Sequence, residues 1–315
     1  MTPTLGLALI ARDEAATLPT LFRSIRGAFD QVALLDTGST DETVVLFERW
    51  ASAENLSLGY VVERFEWRDD FAAARAAADA LLDADWLAWA DCDDRIAGAE
   101  CLRDVASQAE AVGATWIRAA YILPCRTVAR ERVFRRGHGR WRFPVHESKL
   151  PDGGFVELQP TACRWEHGRD ARPSSFRRNL RIARAWIERE PDDPFALYTA
   201  AREELAAGFM LDDPGGINRG LCHALDFLRQ WSVKRVYGPR RLAAARRLLE
   251  LARAGDAEAL IDLVAVGLID PRTWLESTLQ SPSSAGMGKA SSEVKTGKVS
   301  PSPVSPRVLR STTSA

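Results

Sequence analysis

Four short apolar runs constrain this chain most: LGLALIA (Leu5 to Ala11), QVALLD (Gln31 to Asp36), LGYVVE (Leu58 to Glu63) and WLAWA (Trp86 to Ala90). Amphipathic stretches separate them, and polar or acidic residues follow them. This alternation is the pattern of strands and crossover helices in a largely parallel sheet, with the polar residues gathered at the strand ends. Between the runs, Leu18, Leu21, Phe22 and Ile25 share a helical face, with Pro19 in the first turn. Ser39 and Glu42 have capping-box spacing before a helix carrying Val44 and Phe47, and an Ala-rich helix runs through Arg75 and Leu81. The predicted fold class is α/β.

Beyond this region the expected elements are a helix near Cys101 to Val112, a strand near Thr115 to Ile122, and Arg-rich loops to about 170. From Ser174 the spacing turns helical: Leu180, Ala183, Trp186 and Ile187 share a face, PDDP breaks the pattern, and Ala196 to Ala207 resumes it. Further helices are expected at Gly220 to Trp231, Pro239 to Ala254 and Ala257 to Val266. After about Ser277 the Ser, Pro, Thr, Lys and Gly composition cannot repay the entropy of ordering. The expected organisation is an α/β domain over 1–172, a helical appendage over 173–276 and a disordered tail over 277–315.

With 315 residues and 46% apolar content the chain can bury a substantial core. Its net charge of -1 gives no whole-chain field demanding a nucleic acid or an anionic membrane. Five scattered cysteines without a C-x-x-C pair fit free thiols in a reducing compartment. The start lacks a basic leader region and no run of about 18 apolar residues occurs, so a cytoplasmic location without an integral membrane segment is expected.

The sharpest chemical signal is ADCDD, which puts Asp91, Cys92 and Asp93 at the carboxyl end of a strand, where open α/β folds bind ligands. Two carboxylates so spaced suit a hard divalent cation, Mn²⁺ or Mg²⁺; an acidic turn looks the same in sequence. In DTGSTD, Asp36 offers an acceptor to a base or ribose, and Gly38 and Ser39 allow close approach, although the segment also reads as a capped helix start. After Ala11, Asp13 and Glu14 stand beside the same edge, where acidic groups equally favour a helix N-terminus.

These three elements, in this order, resemble the family-2 glycosyltransferases with a GT-A fold. FEWRDDFAAARAAA (Phe65 to Ala78) is similar to a stretch of the branch that includes lipopolysaccharide-core glucosyltransferases and peptide S-glycosyltransferases, with Ala76 where that branch has Asn. Asp13 likewise stands where the family has Asn. ERVFRRGHGRWRFPVHESKL (Glu131 to Leu150) and EHGRD (Glu166 to Asp170) resemble two later family segments. The resemblance implies inverting transfer of a sugar from a nucleotide diphosphate, a UDP-sugar, to a saccharide, lipopolysaccharide or peptide. It implies metal ligands Asp91, Asp93 and His167, a base at Glu147, and donor contacts from Ala11, Asp13, Glu14, Asp36, Gly38, Ser39, Asp70, Arg75, Asp91 and Cys92. Arg135, Trp141 and His146 would meet acceptor or phosphate.

The family often appends helical hairpins, and the one from Arg177 to Gly208 looks tetratricopeptide-like, offering a face for a peptide or protein partner, or simply a lid on the core. The arginines from Arg130 to Arg142 suit an anion and equally a solvated loop. Trp86 and Trp89 read as core. The competing reading is a degenerate transferase fold, disabled at Asp13 and Ala76, that recruits a partner through its helices.

Overall fold

The computed structural model describes residues 2–123, 126–158, 161–168, 173–191 and 193–210, with short pieces at 213, 215–217, 219–220, 222–223 and 308–309. Four parallel strands form the centre: β1 (Leu5–Ala11), β2 (Gln31–Asp36), β3 (Gly59–Arg64) and β4 (Trp86–Asp91), in the order β4-β1-β2-β3. β1 and β2 are buried almost end to end, as strands covered on both faces must be. Antiparallel pairing then extends the sheet beyond β4 through β7 (Arg126–Arg135), which forms a hairpin with β6 (Ala114–Leu123).

Helices cover both faces. On one, α1 (Leu18–Ser24), α2 (Thr43–Ala53) and α4 (Leu102–Ala111) bury Leu21, Phe22, Phe47, Leu102 and Ala106 against Leu5, Leu7 and Leu9. On the other lies α3 (Phe71–Asp79), whose Ala74 and Ala78 meet Ala8, Ala33 and Leu87. The small residues on both sides let this helix lie close to the sheet, and Gly6 makes room for the segment that follows it: a Cβ there would meet Leu82, Ala84 and Leu87 at 3.2 Å. That close seat carries Arg75, on α3, to the strand ends.

Past β4 come β5 (Asp94–Ala97), a 3-10 turn (Ala99–Cys101), β8 (Arg140–Arg142), β9 (Ser148–Leu150), β10 (Gly154–Glu157) and β11 (Arg164–His167). β11 runs antiparallel to β5 and parallel to β6, which seats His167 opposite Asp94. The helical hairpin consists of α5 (Pro173–Arg189) and α6 (Pro194–Met210). It docks on the sheet domain: Ile182 and Ala183 pack on Val145, Phe143 lies between Trp186 and Phe195, and Arg181 binds Asp69.

The structure corrects several expectations. The Arg-rich stretch is not all loop, because Arg126–Arg135 is the ten-residue strand β7. The third strand starts at Gly59 and the Ala-rich helix stops at Asp79. The capping box does not form: the Ser39 hydroxyl accepts the N–H of Asp13, and the Thr43 N–H turns to Asp41 Oδ1. Trp86 and Trp89 are both buried, as expected, and being three residues apart fall on opposite faces of β4. Cys125 and nearly all of the expected helices beyond Gly220 lie outside the described residues. Of the tail, only Val308–Leu309 is described, paired with Phe155 and Val156 of β10. No helix among the described residues is long and apolar enough to cross a membrane.

Two glycines with similar dihedrals separate conformational strain from steric fit. Gly98 has φ 77°, and a Cβ there would fall 1.9 Å from the carbonyl oxygen of Ala162, just before β11; Gly113 has φ 68° with open space around it. Gly113→Ala should cost about 1 kcal/mol of stability, the left-handed penalty alone. Gly98→Ala should add an overpacking cost of about 1–3 kcal/mol. Chemical denaturation of both variants measures the difference, and equal losses would refute the contact.

Candidate active site

Strand register builds the site. Ala11 lies opposite Asp36 and Ile10 opposite Asp91, so two carboxylates flank the carboxyl end of β1. The carbonyl of Ala11 accepts from the Thr37 N–H at 2.9 Å and its hydroxyl at 3.0 Å. Asp36 is buried, and its Oδ1 accepts the N–H of Ser39 at 2.9 Å. Gly38, at φ 108°, has open space where a side chain would be.

The two loops beside this edge are laced together. Asp13, at φ 53°, accepts the Thr40 N–H at 2.7 Å through Oδ1, and that bond holds its carboxyl below the ordinary value. The N–H of Glu14 donates to the Thr43 hydroxyl at 2.7 Å, while its Oε2 accepts from the Thr17 hydroxyl at 2.6 Å. These acidic groups shape the loop whether or not a ligand meets them.

Arg75 is the centre of the charged half. It is 3% exposed, and its three nitrogens diverge: Nη1 to the carbonyl of Ala90 at 3.0 Å, Nε to Glu147 Oε1 at 3.1 Å and Nη2 to Asp91 Oδ1. Trp89 lies under the guanidinium, its ring centre 4.7 Å away. Burial penalises the charge, but Asp91 and Glu147 outweigh it and raise the pKa, so Arg75 stays a cation. Burial likewise opposes ionisation of Asp91, and Arg75, Arg132 and His167 overcome it.

Beside Asp91, the carboxylates of Asp93 and Asp94 and the imidazole of His167 complete a group whose ligand atoms lie within 4.8 Å of one another. Asp94 is fully buried: Oδ2 accepts the N–H of Asp91 at 3.0 Å and Oδ1 the hydroxyl of Tyr121 at 3.1 Å. His167 Nδ1 sits 2.9 Å from that hydroxyl, 3.4 Å from Asp94 Oδ1 and 3.9 Å from Asp93 Oδ1. Burial would lower the His167 pKa, but the hydrogen bond to Asp94 and the charges of Asp93, Asp94 and Asp91 raise it to about 8. Three carboxylates and one imidazole form an oxygen-rich donor set that fits Mn²⁺ or Mg²⁺. Pairing of Asp91 with Arg75 uses one oxygen, and a carboxylate has two.

Sequence reasoning missed Asp94 as a site residue, although it is the third acid of ADCDD; only the return of β11 shows that it faces His167. It also missed Tyr121, and it read Arg132 only as one of a stretch of arginines suited to an anion or to solvent. Arg132 is 1% exposed, with Nη1 3.7 Å from Asp94 Oδ2 and its guanidinium 3.8 Å from the centre of Trp89 and 4.1 Å from that of Tyr121.

Several other expected residues have partners of their own, and the Trp141 ring centre lies 5.9 Å from the Arg75 guanidinium. The Cys92 thiol is buried in the core, donates to the carbonyl of Ile10 at 3.3 Å, and is pushed up in pKa by burial. Asp70 caps α3, accepting the Ala73 N–H at 2.9 Å. Arg135 is exposed opposite Trp86, at the amino end of β4, roughly 16 Å of strand from Asp91. Trp141 commits its indole N–H to Asp79 Oδ2 at 2.7 Å and stands edge-on to Trp89. His146 turns to Glu203 of α6 at 2.8 Å, whereas its neighbour Glu147 faces Arg75.

Residues 7–151 match the family described as Glycosyl transferase family 2. The chain is 30% identical over 212 residues to a TPR repeat-containing protein of Synechococcus elongatus, covering 60% of this chain and 49% of that protein. It is 24% identical over 217 residues to the SPbeta prophage-derived glycosyltransferase SunS of Bacillus subtilis, covering 64% of this chain and 49% of SunS. The chain spans about half the length of these curated relatives. Among solved structures, residues 1–349 of S. aureus TarS in complex with UDP-GlcNAc align at a TM-score of 0.47 and 14% identity, over 88% of this chain and 92% of that one. Over residues 7–151 this chain is similar to the family 2 glycosyltransferases.

Proposed function

We propose that the chain transfers a sugar from a nucleotide-diphosphate donor, a UDP-sugar, onto an acceptor nucleophile, with inversion at the anomeric carbon and in the cytoplasm. The observation that carries this reading is the bridge of Arg75 between Asp91 and Glu147 at the carboxyl edge of the parallel sheet, beside a donor set fit for a divalent cation. In this reading the base and ribose lie against Asp36 and the loop from Gly38 to Ser39. Asp91, Asp93, Asp94 and His167 would hold Mn²⁺ or Mg²⁺, whose charge would stabilise the diphosphate leaving group.

Glu147 takes the proton of the acceptor as its nucleophilic atom bonds to the anomeric carbon. The bond from that carbon to the diphosphate oxygen breaks, and its electron pair leaves with the diphosphate. Arg75 fixes the direction of Glu147 and adds positive charge near the developing anion. Saccharide, lipopolysaccharide and peptide acceptors each carry a nucleophile this base could serve.

Two measurements test the assignment. Mn²⁺-dependent release of UDP from UDP-sugars should vanish in the Asp91→Ala, Asp93→Ala double variant, and no metal-dependent cleavage of any donor by the wild type would refute the reading. Glu147→Gln should slow turnover by about 100-fold or more, the usual scale for a lost general base, while nucleotide affinity stays within about twofold. Unchanged turnover would remove Glu147 from the chemistry.

A further inference from the structure

The segment that carries Glu147 is held in an unfavourable backbone shape from outside. Between β8 and β9 the chain runs Phe143, Pro144, Val145, His146, Glu147, and two of these non-glycine residues are left-handed, Phe143 at φ 75° and His146 at φ 55°. The Cβ of each such residue crowds the backbone, so the shape persists only where its surroundings fix it. The helical hairpin supplies one part of what fixes it, and Trp67 and Phe71 pack on the same Val145 cluster. The Phe143 ring lies 5.7 Å from that of Trp186 and 4.9 Å from that of Phe195, and Val145 is buried with Ile182 and Ala183. The carbonyl of Pro144 accepts the N–H of Phe71, the first residue of α3, at 2.9 Å.

The last hold is polar. His146 Nε2 lies 2.8 Å from Glu203 Oε1, and Glu203 is 2% exposed. Arg202 donates to the same oxygen from Nε at 3.0 Å and Nη2 at 2.9 Å. Burial opposes the Glu203 charge, but His146 and Arg202 hold its pKa down at about 2, and burial followed by Arg202 keeps that of His146 low. A carboxylate can only accept, so His146 donates from Nε2. The next residue, Glu147, places its carboxylate on Arg75.

We infer that Glu203 of α6 is a positioning residue for Glu147, acting through His146, so that the helical hairpin forms part of the transfer site. The inference rests on the role given above to Glu147. Relaxing the left-handed turn at His146 would swing the adjacent carboxylate off Arg75, and a misplacement of about 1 Å at a reacting group costs up to 100-fold in rate. Docking of the hairpin has other supports, the Arg181 pair with Asp69 and the aromatic contacts of Phe143. Loss of the Glu203 charge therefore acts on the turn more than on the docking.

The test is a mutant cycle on the full chain, read as Mn²⁺-dependent UDP release from UDP-glucose and UDP-GlcNAc, with UDP affinity measured by calorimetry. Glu203→Gln should lower kcat about 10-fold or more with UDP affinity within about twofold, and Glu203→Asp should recover part of the loss. Adding Glu203→Gln to Glu147→Gln should cost nothing further, because both changes act through one carboxylate. Full additivity in the double variant, or an unchanged kcat in Glu203→Gln alone, overturns the inference. If Glu203→Gln does not fold, His146→Ala replaces it in the same cycle with the same criterion. Where the wild type cleaves neither, the panel widens to other nucleotide sugars; cleavage of none sinks the transferase reading and this inference with it, and an active wild type indifferent to Glu203→Gln sinks this inference alone.

Discussion

A guanidinium buried to 3% exposure is the constraint around which the site is arranged. An ion taken out of water is tolerated only where its partners are in place, and removing one partner of a buried pair costs about 3–5 kcal/mol. Arg75 therefore fixes three otherwise independent elements relative to one another: the end of β4 through Ala90 and Asp91, the β8–β9 connection through Glu147, and α3, which carries it. The alanines of α3 are as much part of this device as the arginine. Larger residues at Ala74 or Ala78 would lift the helix from the sheet and withdraw the guanidinium from the strand ends.

The acidic cluster next to it is braced from behind. Arg132 leaves Nε and Nη1 without a hydrogen bond, yet its charge is not stranded, because Trp89 and Tyr121 face it and Asp94 lies 3.7 Å away. Trp89 thus sits between two cations, Arg75 and Arg132, each facing its own acidic partners. Its role as plain core packing, which the sequence suggests, is incomplete. The indole meets both guanidinium groups, and its N–H is tied to the carbonyl of Glu131 at 2.8 Å.

The central strands were readable because fully buried parallel strands are written as unbroken apolar runs, and β1, β2 and β4 fall within a residue of those runs. β7 was not readable, since Arg130, Glu131 and Arg132 look like solvent-facing residues, whereas all three are buried, Arg132 against Trp89 and Tyr121. Register explains the other omissions. Asp94 gains its meaning from β11, which arrives about seventy residues later, and His146 from a helix further still along the chain. Local pattern carries strand and helix; it does not carry which distant element returns to face a side chain. For the same reason the hairpin reads as an appendage in sequence and as a supporting wall in the structure.

The two departures from the family pattern differ in consequence. At position 13, the contact made is the acceptance of the Thr40 N–H and hydroxyl through Oδ1, and the amide oxygen of an Asn would accept in the same way. The Asp in this chain therefore preserves the link between the two loops, and only an outward donor is lost. At position 76 the Ala is exposed on α3, next to Arg75 in sequence but turned away from the sheet, so its lack of a polar group leaves the bridge from Arg75 to Asp91 and Glu147 untouched. A degenerate scaffold has no need to keep a buried cation paired with two carboxylates beside a four-residue acidic and imidazole cluster. Such a network is costly to assemble and of uncertain benefit to stability, so its completeness argues for the chemistry it can perform.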